Sequence, residues 1–246
     1  MLFELYVLDL VAMRNILGSF LFNAFFWPIC GVYLTVLYPF VFFSKRNAAY
    51  KLGYRPTANL LIFSLKIFAN VDYKVENLEI LQEAMKKGPV IIGCNHQSTW
   101  ETFIFAKLFE DLSIVIKKEL LDIPVAGLYF KRLNCIAIDR SAPMKAIKDL
   151  MKFGRESVNR GLSILIFPNG TRSSENGETE FKSGIYAMYK YLKVPVVPTH
   201  VNSGKYWPRR SFAKNPGTIH LSFKEPIPPG LSKEEFTERF KTFAMS

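Results

Sequence analysis

The sequence predicts an α/β fold, a mixed and partly parallel sheet flanked by helices, preceded by a membrane-associated helical segment. Three observations carry this. From Asn15 to Ser44 the chain has no charged side chain and is dense in Phe, Leu, Ile, Val and Trp. After Asn70, short β-rich apolar runs alternate with longer helix-like ones, the pattern of strands joined by helices around a sheet covered on both faces. The length of 246 residues suits one large α/β domain with an appendage, dividing the chain into a helical segment over 1–69 and an α/β domain over 70–246.

The N-terminal run is long enough to cross a bilayer once, since roughly 20 apolar residues suffice. It is too long for the core of a secretory signal, and Glu4 and Asp9 spoil a basic leader. Pro28 in mid-run, followed by Gly31, predicts a kink or a break into two half-helices, so the segment either spans or dips into one leaflet and returns. Basic residues Lys45, Arg46, Lys51 and Arg55 follow the run and only Arg14 lies close before it, which places the long C-terminal portion on the cytoplasmic side. The linker, with Tyr50 and Tyr54 among these bases, has the composition of the headgroup level. A second apolar stretch, Leu60 to Phe68, is too short to span and is read either as a helix on the membrane or as one packed over the core.

Strands are predicted over Val71 to Val75, Val90 to Asn95, Ser113 to Lys118, Cys135 to Asp139, Leu162 to Phe167, Val194 to Val201 and Ile219 to Lys224. Helices are predicted over Leu78 to Lys87, Thr99 to Leu112, Glu119 to Phe130, Pro143 to Arg160, Ser183 to Leu192 and Ser232 to Phe243.

A net charge of +11 points to an anionic partner: nucleic acid, an anionic membrane or a phosphorylated substrate. Aromatic residues make up 15% of the chain and gather near the N-terminus beside the apolar run. That favours lipid, and with no nucleic-acid motif present nucleic acid is the weakest choice. The 3 cysteines, Cys30, Cys94 and Cys135, are scattered in apolar surroundings and read as buried thiols of a reducing compartment. With 3 histidines and no Cys-x2-Cys or His-Glu-x2-His pattern, no metal site is expected.

The stretch with the most chemistry is Asn95-His96-Gln97-Ser98-Thr99-Trp100-Glu101, directly after an apolar strand. His96 is a candidate general base and Glu101 its partner. Residues five apart on one helix lie about 140° from each other, so the two meet only if His96 sits in the turn before the helix. Ser98 or Thr99 would then cap that helix, with Glu101 in its first turn. The alternative is a surface loop whose histidine does nothing. Three further clusters end predicted strands, where α/β folds place their ligands: Ile138 to Ser141, Ile166 to Ser173, and Val196 to His200. Arg140 and Arg172 have the planar donor fork that suits a phosphate, against the plainer reading of surface ion pairs. Lys117 and Lys118, at another strand end, either meet the phosphates of a carrier or are simply solvated.

In the order of these blocks the sequence resembles the glycerolipid acyltransferases, most closely those acting on 1-acylglycerol 3-phosphate. That family carries Asn-His-x-Ser-x-x-Asp, which Asn95, His96, Ser98 and Glu101 match with Glu for Asp. An arginine after an apolar strand corresponds to Arg140. Phe-Pro-Glu-Gly-Thr-Arg-Ser corresponds to Phe167 to Ser173, with Asn169 in place of Glu. An apolar strand around Val-x-Pro-Val is similar to Val194 to Pro198. The resemblance implies a membrane-bound O-acyltransferase that moves an acyl chain from acyl-CoA or acyl-carrier protein, used as substrate and not as cofactor, to the hydroxyl of 1-acylglycerol 3-phosphate. Phosphatidic acid is the product, made for phospholipid biosynthesis. His96 and Glu101 would be catalytic, and Asn95, Ser98, Arg140, Asn169, Gly170, Thr171 and Arg172 would bind substrate. Glycerol 3-phosphate or another lysolipid is the alternative acceptor. Thioester hydrolysis and non-catalytic binding of anionic lipid are the alternative functions.

Overall fold

A computed structural model describes residues 2–168 and 184–245, with side chains described over 13–168 and 184–242. The N-terminal segment forms one helix, α1 (Leu2–Phe42), that runs on through both Pro28 and Pro39. The break into half-helices does not occur. A proline removes one backbone hydrogen bond, and here the rings of Phe22 and Phe26 and the thiol of Cys30 are buried against the body on either side of it. The polar side chains of α1 bond back into the helix: Ser19 Oγ donates to the Asn15 carbonyl at 2.6 Å, Asn23 Nδ2 to that of Ser19 at 2.7 Å and Thr35 Oγ1 to that of Gly31 at 2.7 Å. Its stretch Met13–Phe42 is long and apolar enough to cross a membrane. Phe20, Trp27, Val32, Val36 and Phe40 stay exposed on its outer side.

The linker folds as a short helix α2 (Arg46–Ala48) and a π-helical turn (Ala49–Tyr54) leading into α3 (Arg55–Ala69). Its aromatic and basic residues do not all face outward. Tyr50 is buried and donates to the Ala106 carbonyl at 2.8 Å, Tyr54 donates to that of Thr102 at 2.8 Å, and the Arg46 guanidinium reaches the carbonyls of Glu110 and Leu112. Lys45, Lys51 and Arg55 remain exposed. α3 packs over the core through the buried Leu61 and Leu65, while Phe63 and Ile67 face outward beside α1. Gly18 of α1 lies against the Phe68 carbonyl, so close that any side chain there would collide.

All seven predicted strands form: β1 (Val71–Glu76), β2 (Ile91–Cys94), β3 (Leu112–Lys117), β4 (Ile136–Ile138), β5 (Ser163–Ile166), β6 (Val196–Val201) and β7 (Gly217–Phe223). They make one sheet in the order β1-β7-β6-β2-β5-β3-β4, parallel at every pairing except β6 with β7. The remaining helices are α4 (Leu78–Lys86), α5 (Trp100–Leu108), α6 (Ala126–Arg132), α7 (Pro143–Asn159), α8 (Gly184–Leu192) and α9 (Lys233–Met245). One face of the sheet packs with α1, α3, α4 and α5 through Phe22, Phe26, Leu61, Leu81, Trp100 and Phe105. The opposite face packs with α7, α8 and α9 through Ala146, Leu150, Ile185, Met188, Phe236 and Phe240.

Two predicted helices are shorter than the pattern suggested. α5 ends at Leu108 because Phe109 is extended, with its ring beside Phe105 and Phe223, and Leu112 already opens β3. The helix over Glu119 to Phe130 divides into a 3₁₀ turn (Lys118–Asp122) and α6. Pro124 drives Ile123 into extended backbone, and Val125 takes φ 65°.

Candidate active site

The parallel strands β2, β3, β4, β5 and β6 end at one edge of the sheet, and β2 lies between β5 and β6. Every residue of β2 is buried. Gly93 is required there: a side chain at this position would run into Phe240 and Ile185 from α9 and α8. Beyond Cys94 the pairing with β6 continues through a side chain. Asn95 Nδ2 donates to the Val201 carbonyl at 2.8 Å while the Val201 N–H donates to Asn95 Oδ1 at 2.7 Å. The Asn95 amide thus fastens the end of β2 to β6. It holds the strand end from which His96 departs.

His96 sits in the turn before α5, as the spacing required. Its Nδ1 lies 3.0 Å from Glu101 Oε2, and Glu101 is fully buried in the first turn of the helix. The Ser98 N–H donates to both carboxylate oxygens at 3.0 Å, and Ser98 Oγ lies 3.3 Å from Oε1. Ser98 Oγ in turn accepts the Trp100 N–H at 3.0 Å. Serine and glutamate three residues apart form a variant of the capping box, in which the Glu101 carboxylate takes the Ser98 N–H and the Ser98 hydroxyl takes the N–H of Trp100, one residue short of Glu101. The local sequence that starts α5 therefore also carries Glu101 to the imidazole, and Ser98 serves both the start of the helix and the carboxylate. A further hydroxyl, that of Ser203 in the 3₁₀ turn Ser203–Lys205 after β6, bonds to Glu101 Oε1. The same turn is held by Gln97, whose Oε1 accepts the Gly204 N–H at 2.9 Å.

Surrounded by N–H and O–H donors, the Glu101 carboxylate accepts all of these bonds when ionised. The ring proton of neutral His96 then belongs on Nδ1, and Nε2 is the ring's acceptor. The imidazole is 16% exposed along its side chain and stacks on Phe167, with ring centroids 4.1 Å apart at 24°. Cys94 is no competing nucleophile: burial pushes its thiol well above the usual range, and it bonds to the Asn95 carbonyl at 3.2 Å. Trp100 is a core ring tilted against Tyr73, with 1% exposure.

Phe167 joins the imidazole to a second feature. Together with Arg140, Pro143, Ile147, Ile166 and Ile185 it lines an apolar cavity of about 170 Å³ between the sheet, α7 and α8. Arg140 follows β4 and is half-buried; burial lowers its pKa, and nearby Glu119 offsets part of that. Asp139, just before it, accepts the Ser141 N–H at 3.0 Å and hydroxyl at 2.5 Å, which shapes the turn. Asn169, Gly170, Thr171 and Arg172 lie outside the described residues. Lys117 and Lys118 are exposed at the end of β3. Among the described residues, no group of three His, Cys, Asp or Glu side chains is arranged to hold a metal.

Ser203 and Gln97 were missed in the sequence. A serine 102 positions from Glu101 carries no local signal, and only the pairing of β6 beside β2 brings it in.

A profile of the acyltransferase family matches residues 72–202. The 1-acyl-sn-glycerol-3-phosphate acyltransferase of Pseudomonas aeruginosa is 37% identical over 212 residues, covering 85% of this chain and 79% of that one. Those of Cocos nucifera and Saccharomyces cerevisiae are 33% and 32% identical over 54% and 60% of this chain. The matched stretch spans about half of their own lengths, 44% and 48%. In crystals, the 1-acyl-sn-glycerophosphate acyltransferase of Thermotoga maritima shares the fold, with a TM-score of 0.68 over 94% of this chain and 93% of that one at 23% identity.

Proposed function

This chain belongs to the acyltransferase family, and on that premise we propose that it acylates the free hydroxyl of 1-acylglycerol 3-phosphate to give phosphatidic acid. The observation that carries the reading is the imidazole of His96 held through Nδ1 by a buried, multiply bonded carboxylate at the end of the central strand. His96 Nε2 takes the acceptor's hydroxyl proton as that oxygen attacks the thioester carbonyl. Collapse of the tetrahedral intermediate breaks the carbon–sulfur bond, and the imidazolium returns the proton to the leaving thiolate. Glu101 fixes the tautomer and stabilises the imidazolium. No acyl-enzyme is required, because the acceptor oxygen is itself the nucleophile. Arg140, with Gly170, Thr171 and Arg172, binds the acceptor phosphate through charge-assisted bonds.

The outer apolar side of α1, continued by Phe63 and Ile67 of α3, seats the protein in the membrane from its cytoplasmic side. Phe22, Phe26, Cys30 and Val41 bury the other side of α1 along the body. A helix packed along its domain in this way favours a seat in one leaflet over a crossing, because a crossing would draw the domain in with it.

The test is product analysis with an acyl thioester and a panel of lysophosphatidate, glycerol 3-phosphate and neutral lysolipids. Phosphatidic acid formed from lysophosphatidate is expected. Preference for another acceptor would overturn the assignment of acceptor, and thiol release without any acceptor would overturn acyl transfer in favour of hydrolysis.

A further inference from the structure

Resting on the acyl-transfer reading, we propose that the outer face of α7 docks an acidic acyl-carrier protein, which delivers its thioester to the cavity at the head of that helix. α7 is two-sided. Ala146, Leu150, Gly154 and Ser157 are buried, whereas Lys145, Lys148 and Lys152 are exposed. Lys148 and Lys152 each stand two residues beyond a buried position, about 200° around the helix. Among the described residues, no carboxylate oxygen lies within 4.0 Å of these three ammonium groups. Asp149 and Glu156 lie on the same side of the helix, and the three lysines leave it a net basic ridge running about 10 Å along its length.

Three features fix what occupies it. The ridge begins at the cavity, since Pro143, Ala146 and Ile147 of α7 line that space with Arg140 and Phe167, and Phe167 stacks on His96. Met144, 74% exposed, stands at this end of the ridge and supplies the adaptable apolar contact common at protein-binding surfaces. α7 also lies on the sheet face opposite α1 and α3, so it is presented away from the apolar seat that faces lipid. A water-soluble donor therefore has a docking face that does not compete with the entry of a lipid acceptor. A row of cations spaced along a helix matches a row of carboxylates on a protein partner. The clustered phosphates of coenzyme A match a compact site, such as Lys117 and Lys118 at the end of β3.

The full-length protein and a K145E/K148E/K152E variant are compared in phosphatidylcholine vesicles, with palmitoyl-carrier protein and palmitoyl-CoA as donors at fixed lysophosphatidate. The variant's KM for the carrier donor should rise about tenfold or more, with KM for the CoA donor within about threefold of the parent's. Raised salt should weaken the parent's use of the carrier steeply and the variant's little. A K145R/K148R/K152R variant should keep the parent's carrier KM, since it keeps the charge. Equal losses with both donors, or none with the carrier, would overturn the docking. Binding of palmitoyl-carrier protein is measured in parallel. Charge-dependent binding with no turnover of either donor would leave the docking and remove the acyl-transfer reading. Turnover of palmitoyl-CoA by a parent that binds no carrier would do the reverse.

Discussion

Replacing Glu101 with glutamine separates a positioning carboxylate from a merely structural one. The carboxylate meets donors only: the Ser98 N–H and hydroxyl, the Ser203 hydroxyl and His96 Nδ1. Glutamine keeps the shape but turns one acceptor into a donor. If its NH₂ faces His96, the ring proton moves to Nε2 and the base is lost. If it faces Ser98, two donors oppose each other in a buried site. Either arrangement forfeits at least one hydrogen bond to a charged group, about 1.5–3 kcal/mol. It also removes the charge that stabilises the imidazolium at 3.0 Å, so the combined loss in kcat should be on the order of 10³- to 10⁴-fold, as in other carboxylate–histidine pairs. The assay is phosphatidic acid formation from lysophosphatidate at saturating donor. KM for both substrates should move by less than about threefold, because Glu101 touches neither. Glu101→Asp, the residue the wider family pattern carries here, should recover much of kcat. A kcat within tenfold of the parent, or a loss confined to KM, would refute the reasoning.

Ser203→Ala removes one donor from the same carboxylate and should lower kcat about 10-fold with little change in KM, read in the same assay. Arg140→Ala should raise KM for lysophosphatidate by about 10- to 10²-fold and KM for the donor far less; equal effects would place the acceptor phosphate elsewhere. Lys214, 2% exposed among Phe22, Trp207 and Phe212, is pushed by burial from its ordinary 10.5 to about 8. The unfolded chain then holds more protons than the folded one between these values, so the penalty is full below about 8 and is relieved as pH rises to 10.5. Denaturant unfolding in micelles should show stability rising over that window by up to about 3 kcal/mol, less whatever the ring faces return to the ammonium. Lys214→Met should flatten that slope, and an unchanged slope would assign it to other groups.

What the sequence revealed was what local pattern encodes. The strands stood out because β2 to β6 are largely buried and read as short, mostly apolar runs. The spacing set the condition under which Glu101 meets His96, a histidine placed in the turn before the helix, and the local start of α5 fulfils it. What escaped depended on partners distant in sequence. The two bonds of the Asn95 amide to Val201, 106 residues away, exist only once β6 lies beside β2, so no local pattern announces them. Tyr50, Tyr54 and Arg46 have the composition of a membrane interface, yet carbonyls of α5 and of the residues after it draw them inward. Pro28 does not break α1, because side-chain packing along one face holds the helix together across it.

General-base catalysis by His96 is tested most directly by His96→Ala in the full-length protein, with phosphatidic acid formation measured at saturating lysophosphatidate and acyl thioester. A positioned base contributes about 10²- to 10⁴-fold, so kcat should fall by that factor while KM values hold and α5, capped by Ser98 and not by His96, stays folded. Turnover within a few fold of the parent would contradict the assignment and return His96 to the status of a loop histidine.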